Sequence, residues 1–174
     1  MTIRHLIIGL AGWSGAGKTT LVVGLLPELI GRGLKVSTIK HAHHTFDVDD
    51  ETKDSYRHRS AGAREVLVSS ARRFALMSEH DEGGEPGLPV LLTRLAPCDL
   101  VLVEGFKRAP HAKIEIHRRA NNKPLLYPDD PAIRAIACDS VIEGARLPLL
   151  DLNDIPAIAD ACLRFAAPFP DNAG

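Results

Sequence analysis

GWSGAGKT, residues 12–19, is the most informative stretch of this chain. It has the form G-x-x-x-x-G-K-[ST], in which glycines let the backbone turn so that successive N–H groups point at phosphate oxygens. The preceding run HLIIGLA (5–11) is apolar and rich in branched side chains, as expected of a buried parallel strand. Residues 20–30 carry apolar side chains at helical spacing. A strand, a glycine-rich turn and a helix in this order predict that the chain binds a nucleoside triphosphate.

The end of this loop supplies two side chains with separate roles. Lys18 is a cation for the β- and γ-phosphates, and the hydroxyl of Thr19 is placed to bind Mg²⁺. The helix that follows adds its N-terminal dipole and its unpaired N–H groups. The alternative, an ordinary glycine-rich turn, is disfavoured because the strand and the helix are both in the expected positions.

Composition sets the class of the protein. A length of 174 residues predicts one domain over residues 1–174, large enough for a real core. The formal net charge of −1 gives no reason to expect binding to nucleic acid or to an anionic membrane. The three cysteines have neither C-x-x-C spacing nor a disulfide framework, which favours reduced thiols in a cytoplasmic protein. No apolar stretch approaches the roughly 20 residues that cross a bilayer.

Alternating strands and helices predict an α/β fold with a largely parallel sheet, additional antiparallel strands and helices on both faces. The predicted strands are 3–11, 34–40, 65–69, 74–78, 99–104, 113–117, 133–138 and 147–152. The predicted helices are 19–32, 54–61 with Asp54 as its cap, 88–95 and 154–167 with Asp154 as its cap.

Three local features carry further expectations. Pro27 should kink or loosen the first helix. The strands at 65–69 and 74–78 are close enough in sequence to form a hairpin, which would make the sheet mixed. The polar and apolar alternation of KIEIH (113–117) suits a half-exposed strand nearer the sheet edge.

A triphosphate site needs a carboxylate near the metal, at the carboxyl end of a strand. Glu104 ends the apolar strand DLVLVE, whereas Asp99 begins the same strand and should lie roughly 15–17 Å away. We therefore prefer Glu104, against the alternative that it only caps the turn at Gly105.

The polar stretch 41–59 follows the second strand, on the edge of the sheet where phosphates would bind. Asp47 and Asp54 are candidates for holding a metal-bound water or orienting the attacking water. Asp49 and Asp50 are set aside because they stand in a plain acidic run. The alternative is a solvated acidic loop.

Two further points concern metal binding by histidines and recognition of the nucleotide base. His41, His43 and His44 have a spacing that can bind a transition metal, although histidines here can equally contact phosphate or line the loop. Lys40 and Lys53 are further phosphate-contact candidates. The [NT]-K-x-D stretch of guanine-specific sites is absent, and Asp139 is the one carboxylate in an analogous late position.

The segments GWSGAGKTTL, STIKHAHHTFDVD, KDSYRHRSAGA, LVLVEGFK and KIEIHR together resemble the MobB family of molybdopterin-guanine dinucleotide biosynthesis adapter proteins. The resemblance covers nearly the whole chain. It implies a P-loop NTPase-type three-layer fold and a homodimer that binds GTP with Mg²⁺ and hydrolyses it weakly. It also implies partners in molybdenum cofactor biosynthesis, among them the guanylyltransferase. A preference for GTP over ATP rests on the resemblance alone.

Motif and resemblance together give the predicted site. The nucleotide-binding residues are Gly12, Ser14, Gly15, Ala16, Gly17, Lys18, Thr19 and Thr20, with Asp139 as the candidate for reading the base. The predicted metal ligands are Thr19, Glu104 and Asp47, and the predicted catalytic residues are Asp54 and Glu104.

Efficient hydrolysis is not expected. P-loop enzymes usually need a positioned Gln or an arginine finger that contributes about 10³–10⁵ in rate. The chain contains no Gln, and nothing selects among Arg57, Arg59 and Arg64 as a finger. A small-molecule kinase and a metallochaperone-type GTPase remain alternatives to the adapter.

Overall fold

The computed structural model describes residues 5–42, 47–80 and 84–170. Within these ranges the strands are β1 Ile7–Ala11, β2 Val36–Lys40, β3 Glu65–Ser69, β4 Phe74–Ser78, β5 Leu100–Glu104, β6 Lys113–His117, β7 Ile133–Cys138 and β8 Leu149–Asp151. The helices are α1 Lys18–Gly31, α2 Asp54–Ser60, α3 Leu88–Leu92 and α4 Ile155–Phe165. The chain divides into two compact units: a main unit, residues 1–41 with 88–174, and an inserted unit, residues 42–87. The prediction of one domain over 1–174 stays a prediction.

The main unit is built on a parallel six-stranded sheet in the order β2-β5-β1-β6-β7-β8. β1 lies inside this sheet, between β5 and β6. Leu10 and Lys40 are both in register with Glu104, so the carboxyl ends of β1, β2 and β5 meet at one edge. The chain leaves β1 at this edge and enters the glycine-rich loop, as the motif predicts.

Helices cover both faces of this sheet, which confirms the three-layer α/β prediction. α1 and α4 pack on one face against side chains such as Ile8 and Leu10, and α3 packs on the other against Ile7. α1 buries Leu21, Leu25 and Leu29, and it runs unbroken through Pro27 because that residue stands on its exposed side. None of the helices in the described ranges has the length and hydropathy that a bilayer crossing requires.

The predicted helix caps have different outcomes. Asp154 caps α4, and its carboxylate accepts a hydrogen bond from the backbone N–H of Ala157 at 3.0 Å. The cap position of α2 is instead Lys53, which has an extended backbone, and Asp54 is the first helical residue. A carboxylate there still interacts favourably with the helix dipole, so the sequence preference is satisfied one position later. α3 ends at Leu92, three residues short of the expected Leu95.

The expected edge position of β6 is wrong. β6 lies between β1 and β7, and Lys113 and Glu115 are each only 1% exposed. The Lys113 ammonium donates to the Ala109 carbonyl at 2.6 Å and to the Asp130 carboxylate at 2.9 Å. The alternation of KIEIH therefore separates an apolar face from a face of buried polar groups, because internal partners replace water.

Glu115 ties the following loop to the sheet in the same way. Its carboxylate accepts from the backbone N–H groups of Leu126 and Tyr127 at 2.7 and 2.9 Å. Burial raises the pKa of Glu115, and the two N–H donors oppose that rise. The loop after β6 is thus fixed by hydrogen bonds to a strand side chain rather than by a helix of its own.

His111 is a buried polar side chain of the main unit. It is 1% exposed, and neither ring nitrogen has a hydrogen-bond partner within the described part of the chain. Burial, and then the neighbouring Lys113 ammonium, lowers the pKa of His111 to about 4, while Asp130 acts in the opposite direction. The imidazole packs against β1 at Gly9, where an added Cβ would lie 2.4 Å from its Nε2.

The inserted unit consists of α2 and the antiparallel hairpin β3-β4. The predicted hairpin is therefore present, but it forms a sheet of its own instead of making the main sheet mixed. Its register places Leu67 opposite Leu76, and with Phe74 these side chains form an exposed apolar surface on one face of the hairpin.

We predict that Gly9→Ala lowers the free energy of unfolding by about 1–3 kcal/mol, because the new methyl group overpacks the His111 imidazole. The loss should shrink in a His111→Ala background, which a double-mutant cycle in urea measures. Gly31→Ala is the matched control, since no heavy atom of the described residues lies within 4 Å of a Cβ added there. Strict additivity of the Gly9 and His111 substitutions would contradict the steric explanation.

His111 also predicts a pH dependence of stability. Its pKa is about 4 in the folded protein and about 6.5 in the unfolded chain, so the unfolded state binds the extra proton between these values. Stability should fall by about 3 kcal/mol as the pH drops from about 6.5 to about 4, at roughly 1.4 kcal/mol per pKa unit. His111→Leu should flatten the curve of unfolding free energy against pH in this window. An unchanged slope would rule His111 out as its source.

Candidate functional site

The glycines of the loop take conformations that other residues adopt rarely. Gly12, Gly15 and Gly17 have φ angles of 154°, 80° and 95°. At Gly12 an added Cβ would also lie 2.7 Å from the backbone oxygen of Ile116 in β6. The loop can therefore pass close to the end of β6 only with glycine at this position.

Lys18 folds over the beginning of the loop. Its ammonium donates to the carbonyl oxygens of Gly12 at 3.0 Å and Trp13 at 2.9 Å. Burial lowers the pKa of Lys18, the Lys107 and Lys40 ammonium groups lower it further, and Glu104 raises it. Three lysines thus surround the loop, which favours an anionic ligand.

Glu104 lies beside the loop, as predicted. Its carboxylate accepts from the Thr19 hydroxyl at 2.9 Å and is 3.9 Å from the Lys40 ammonium. Asp99, the rejected alternative, immediately precedes the same strand at the opposite edge of the sheet and accepts from the backbone N–H of Lys35. A hydroxyl and a carboxylate oxygen are donors that Mg²⁺ accepts, so Thr19 and Glu104 fit the predicted metal.

Arg118 and Asn121 form a second wall of the loop that sequence reasoning missed. Arg118 Nε donates to the Ala16 carbonyl at 3.2 Å, and Asn121 Nδ2 donates to the Ser14 carbonyl at 2.9 Å. The run RRANN directly after β6 could have indicated this wall. Side chains at the carboxyl end of a strand beside β1 reach the same edge of the sheet as the loop.

Asp139, the candidate for reading the base, follows β7 and is exposed. Its carboxylate accepts from the backbone N–H of Arg119 at 2.9 Å, and this bond is the main reason that the pKa of Asp139 is lowered. It therefore fixes the turn that contains Arg118 and Asn121. Base recognition by Asp139 stays a prediction.

Trp13 is held on two sides. Its indole N–H donates to the carbonyl of Pro124 at 2.8 Å, and the Lys107 ammonium lies 4.8 Å from the ring centroid. Since Trp13 is the single tryptophan of the sequence, its fluorescence reports on the loop.

His41 is held by the last residue of β5 and by the residues that follow that strand. Its backbone N–H donates to the Glu104 carbonyl at 2.8 Å, and its ring stacks on Phe106 with centroids 4.7 Å apart. Gly105 has φ 100°, and an added Cβ there would lie 2.6 Å from the His41 Cβ. His43 and His44 lie outside the described residues, and no group of three metal-binding side chains occurs within them.

In the inserted unit Arg59 binds three carboxylates. It pairs with Asp49 at 2.6 Å, Glu79 at 2.8 Å and Asp47 at 3.2 Å. Asp49, set aside as part of an acidic run, is the most buried of the three, with a side chain 6% exposed. Local sequence patterns do not reveal these ion pairs, because Arg59 is separated from its partners by 10 to 20 residues.

The two predicted site residues of the inserted unit have ordinary surroundings. Asp47 is one of the Arg59 partners, and Asp54 has a side chain 90% exposed and 3.9 Å from Arg57. Metal binding by Asp47 and a catalytic role for Asp54 stay predictions.

Comparison with known proteins gives consistent matches. Residues 7–139 match the family described as molybdopterin guanine dinucleotide synthesis protein B. The molybdopterin-guanine dinucleotide biosynthesis adapter protein of Haemophilus influenzae (strain ATCC 51907 / DSM 11121 / KW20 / Rd) is 45% identical, across 88% of this chain and 85% of its own length. The protein of the same name from Escherichia coli (strain K12) is 42% identical, across 88% and 89%.

A solved structure agrees with these matches. The crystal structure of a molybdopterin-guanine biosynthesis protein B superposes with a TM-score of 0.72 and 28% sequence identity. The superposition covers 91% of this chain and 97% of that one. The similarity therefore extends beyond the phosphate loop to nearly the whole fold.

We predict that Glu104→Gln removes most of the gain in triphosphate affinity that Mg²⁺ provides, because a neutral amide is a poor ligand for a hard cation. Titrating GTP against Trp13 fluorescence, with Mg²⁺ and with EDTA, measures that gain. Asp99→Asn is the matched control, since it makes the same chemical change at the other end of β5. An equal loss in both variants would argue against the assignment of Glu104.

Proposed function

This chain belongs to the MobB family of molybdopterin guanine dinucleotide synthesis proteins, and on that premise we propose that it is a GTP-binding adapter in molybdopterin-guanine dinucleotide biosynthesis. It binds GTP with Mg²⁺, hydrolyses it slowly and assists the guanylyltransferase and other proteins of the molybdenum cofactor pathway. It acts as a cytoplasmic homodimer.

The observation that carries nucleotide binding is the hydrogen bond of 2.9 Å between Thr19 and Glu104, at the mouth of the glycine-rich loop. It brings the last residue of the motif to a carboxylate 85 positions away along the chain. Thr19 stands in the first turn of α1, where the first N–H groups have no intrahelical acceptor. Phosphate oxygens would satisfy these donors, and Lys18 would neutralise part of the phosphate charge.

Thr19 and Glu104 are the residues of the main unit that would hold Mg²⁺. The ion, when bound, would neutralise charge on the β- and γ-phosphates. Thr19 offers its hydroxyl oxygen and Glu104 its carboxylate, while Lys40 stays close enough to balance the carboxylate in the absence of the ion.

Slow turnover follows from what the chain provides. It has no Gln to orient water. Arg59, one of the candidate fingers, has a side chain only 16% exposed and must release three carboxylates before it can reach a phosphate. A charge-neutralising finger would otherwise contribute about 10³–10⁵ in rate. An accessory role suits this arrangement better than that of a fast enzyme.

The homodimer is supported by the apolar face of the hairpin. Leu67 and Phe74 are 60% and 71% exposed, and they lie on a two-stranded sheet, which is marginally stable alone in water. A contiguous apolar surface of this kind favours association with a second copy of the chain.

We predict that Lys18→Ala abolishes GTP binding while leaving the fold intact, because it removes a contact to the ligand and no core group. Trp13 fluorescence and calorimetry measure the affinity, and ATP competition tests the preference for guanine. Lys35→Ala is the control, since it removes an exposed cation beside the opposite edge of the sheet. Normal GTP binding by the Lys18→Ala protein would refute the assignment of the loop.

The adapter role is tested by capture from a lysate with the protein loaded with GTP or with GDP. Retention of the molybdenum cofactor guanylyltransferase, weakened in the Lys18→Ala protein, supports the proposal. Rapid GTP turnover by the purified protein alone, lost in Glu104→Gln, would instead identify an enzyme.

A further inference from the structure

The turn after β6 contacts the phosphate loop on the side of its carbonyl oxygens. Arg118 and Asn121, which we call the brace, donate to the carbonyls of residues 16 and 14. The brace also packs against Gly15 and Gly17, the glycines that follow these two residues of the loop. A Cβ at Gly15 would lie 3.1 Å from Asn121 Oδ1, and one at Gly17 would lie 3.0 Å from Arg118 Nε.

From this contact we infer that Arg118 and Asn121 are positioning residues of the nucleotide site, which hold the loop with its amides directed at the phosphates before the ligand arrives. The inference rests on the proposed binding of a nucleoside triphosphate. It adds to that proposal two residues that are not part of the G-x-x-x-x-G-K-[ST] motif.

The physical need for a brace comes from the glycines. A glycine-rich loop has many accessible backbone conformations, and fixing each residue in one of them costs conformational entropy. Any peptide that flips would turn a carbonyl oxygen, instead of an N–H, towards the anion. A donor on the carbonyl side opposes such a flip, because the flip breaks its hydrogen bond.

The carbonyls near the start of the loop have donors of two kinds. The Lys18 ammonium bonds those of residues 12 and 13, and the brace bonds those of residues 14 and 16. Lys18 must also serve the phosphates, so its bonds to the loop are exchangeable. Arg118 and Asn121 act from behind the loop and can keep their bonds when the ligand is present.

The brace is itself rigid. Asn121 is the last residue of a 3₁₀ turn, Arg119–Asn121, and Arg118 is the extended residue at the N-cap of that turn, which ends at Asn122 in the left-handed region with φ 45°. The Asp139 carboxylate fixes the backbone N–H of Arg119 from the end of β7. The brace therefore anchors the loop to the ends of two strands, β6 and β7.

Amide hydrogen exchange of the nucleotide-free protein tests the brace directly. Arg118→Met should raise exchange at the amide of Ala16, the loop N–H that donates to the Trp13 carbonyl at 3.2 Å, by about tenfold, since the lost hydrogen bond comes from a charged donor. Exchange in β7 and α4 should stay unchanged, which separates a loosened loop from global unfolding. Arg119→Met is the matched control: it removes the same charge from an exposed neighbour whose backbone N–H, and not its side chain, is hydrogen-bonded among the residues described.

Affinity provides the second readout. Arg118→Met should weaken GTP and GDP binding by about tenfold, Arg118→Lys should recover part of both the affinity and the protection, and Asn121→Ala should reproduce the exchange effect. Unchanged exchange at residues 12–19 in Arg118→Met, or an equal rise in Arg119→Met, would overturn the inference. If the wild-type protein binds no GTP, the proposed function fails, while the exchange experiment still decides whether the brace orders the loop.

Discussion

The close approach of Gly12 to the backbone oxygen of Ile116 is the constraint on which the main unit depends. It requires β1 and β6 to be neighbours, so that the loop leaves one strand directly against the end of the other. It also requires a residue without a side chain at the first position of the motif. β5 lies on the other side of β1, and its last residue, Glu104, supplies a carboxylate to the loop. The turn after β6 supplies the guanidinium of Arg118 and the amide of Asn121.

Placing β6 inside the sheet has a cost that its own side chains offset. Lys113 and Glu115 are buried, and burying an ion without partners costs several kcal/mol. The Asp130 carboxylate and the backbone N–H groups of Leu126 and Tyr127 supply those partners. The polar groups thus bind the loop after β6 to the sheet at defined points, which an apolar strand could not do.

Local sequence signals predicted what depends on local structure. The motif, the strand before it and the choice of Glu104 over Asp99 follow from spacing along single strands, and the structure has Glu104 beside Thr19. The position of β6 was missed because alternation cannot distinguish exposed polar side chains from buried ones with partners. Arg118, Asn121 and Asp49 were missed for a related reason, since their partners are distant in sequence and only the topology brings them together.

Glu104 makes contacts in two directions. Its side chain reaches Thr19, and its carbonyl oxygen accepts from the backbone N–H of His41, the last residue before the chain enters the inserted unit. Gly105 and Phe106 follow it, and both have a positive φ, a backbone conformation that few residues adopt and that the surrounding structure must hold in place. A small displacement of the end of β5 would therefore move His41 through one backbone hydrogen bond, and the inserted unit begins at the next residue. Glu104 therefore links the glycine-rich loop, through its side chain, to the last residue before the insertion, through its carbonyl oxygen.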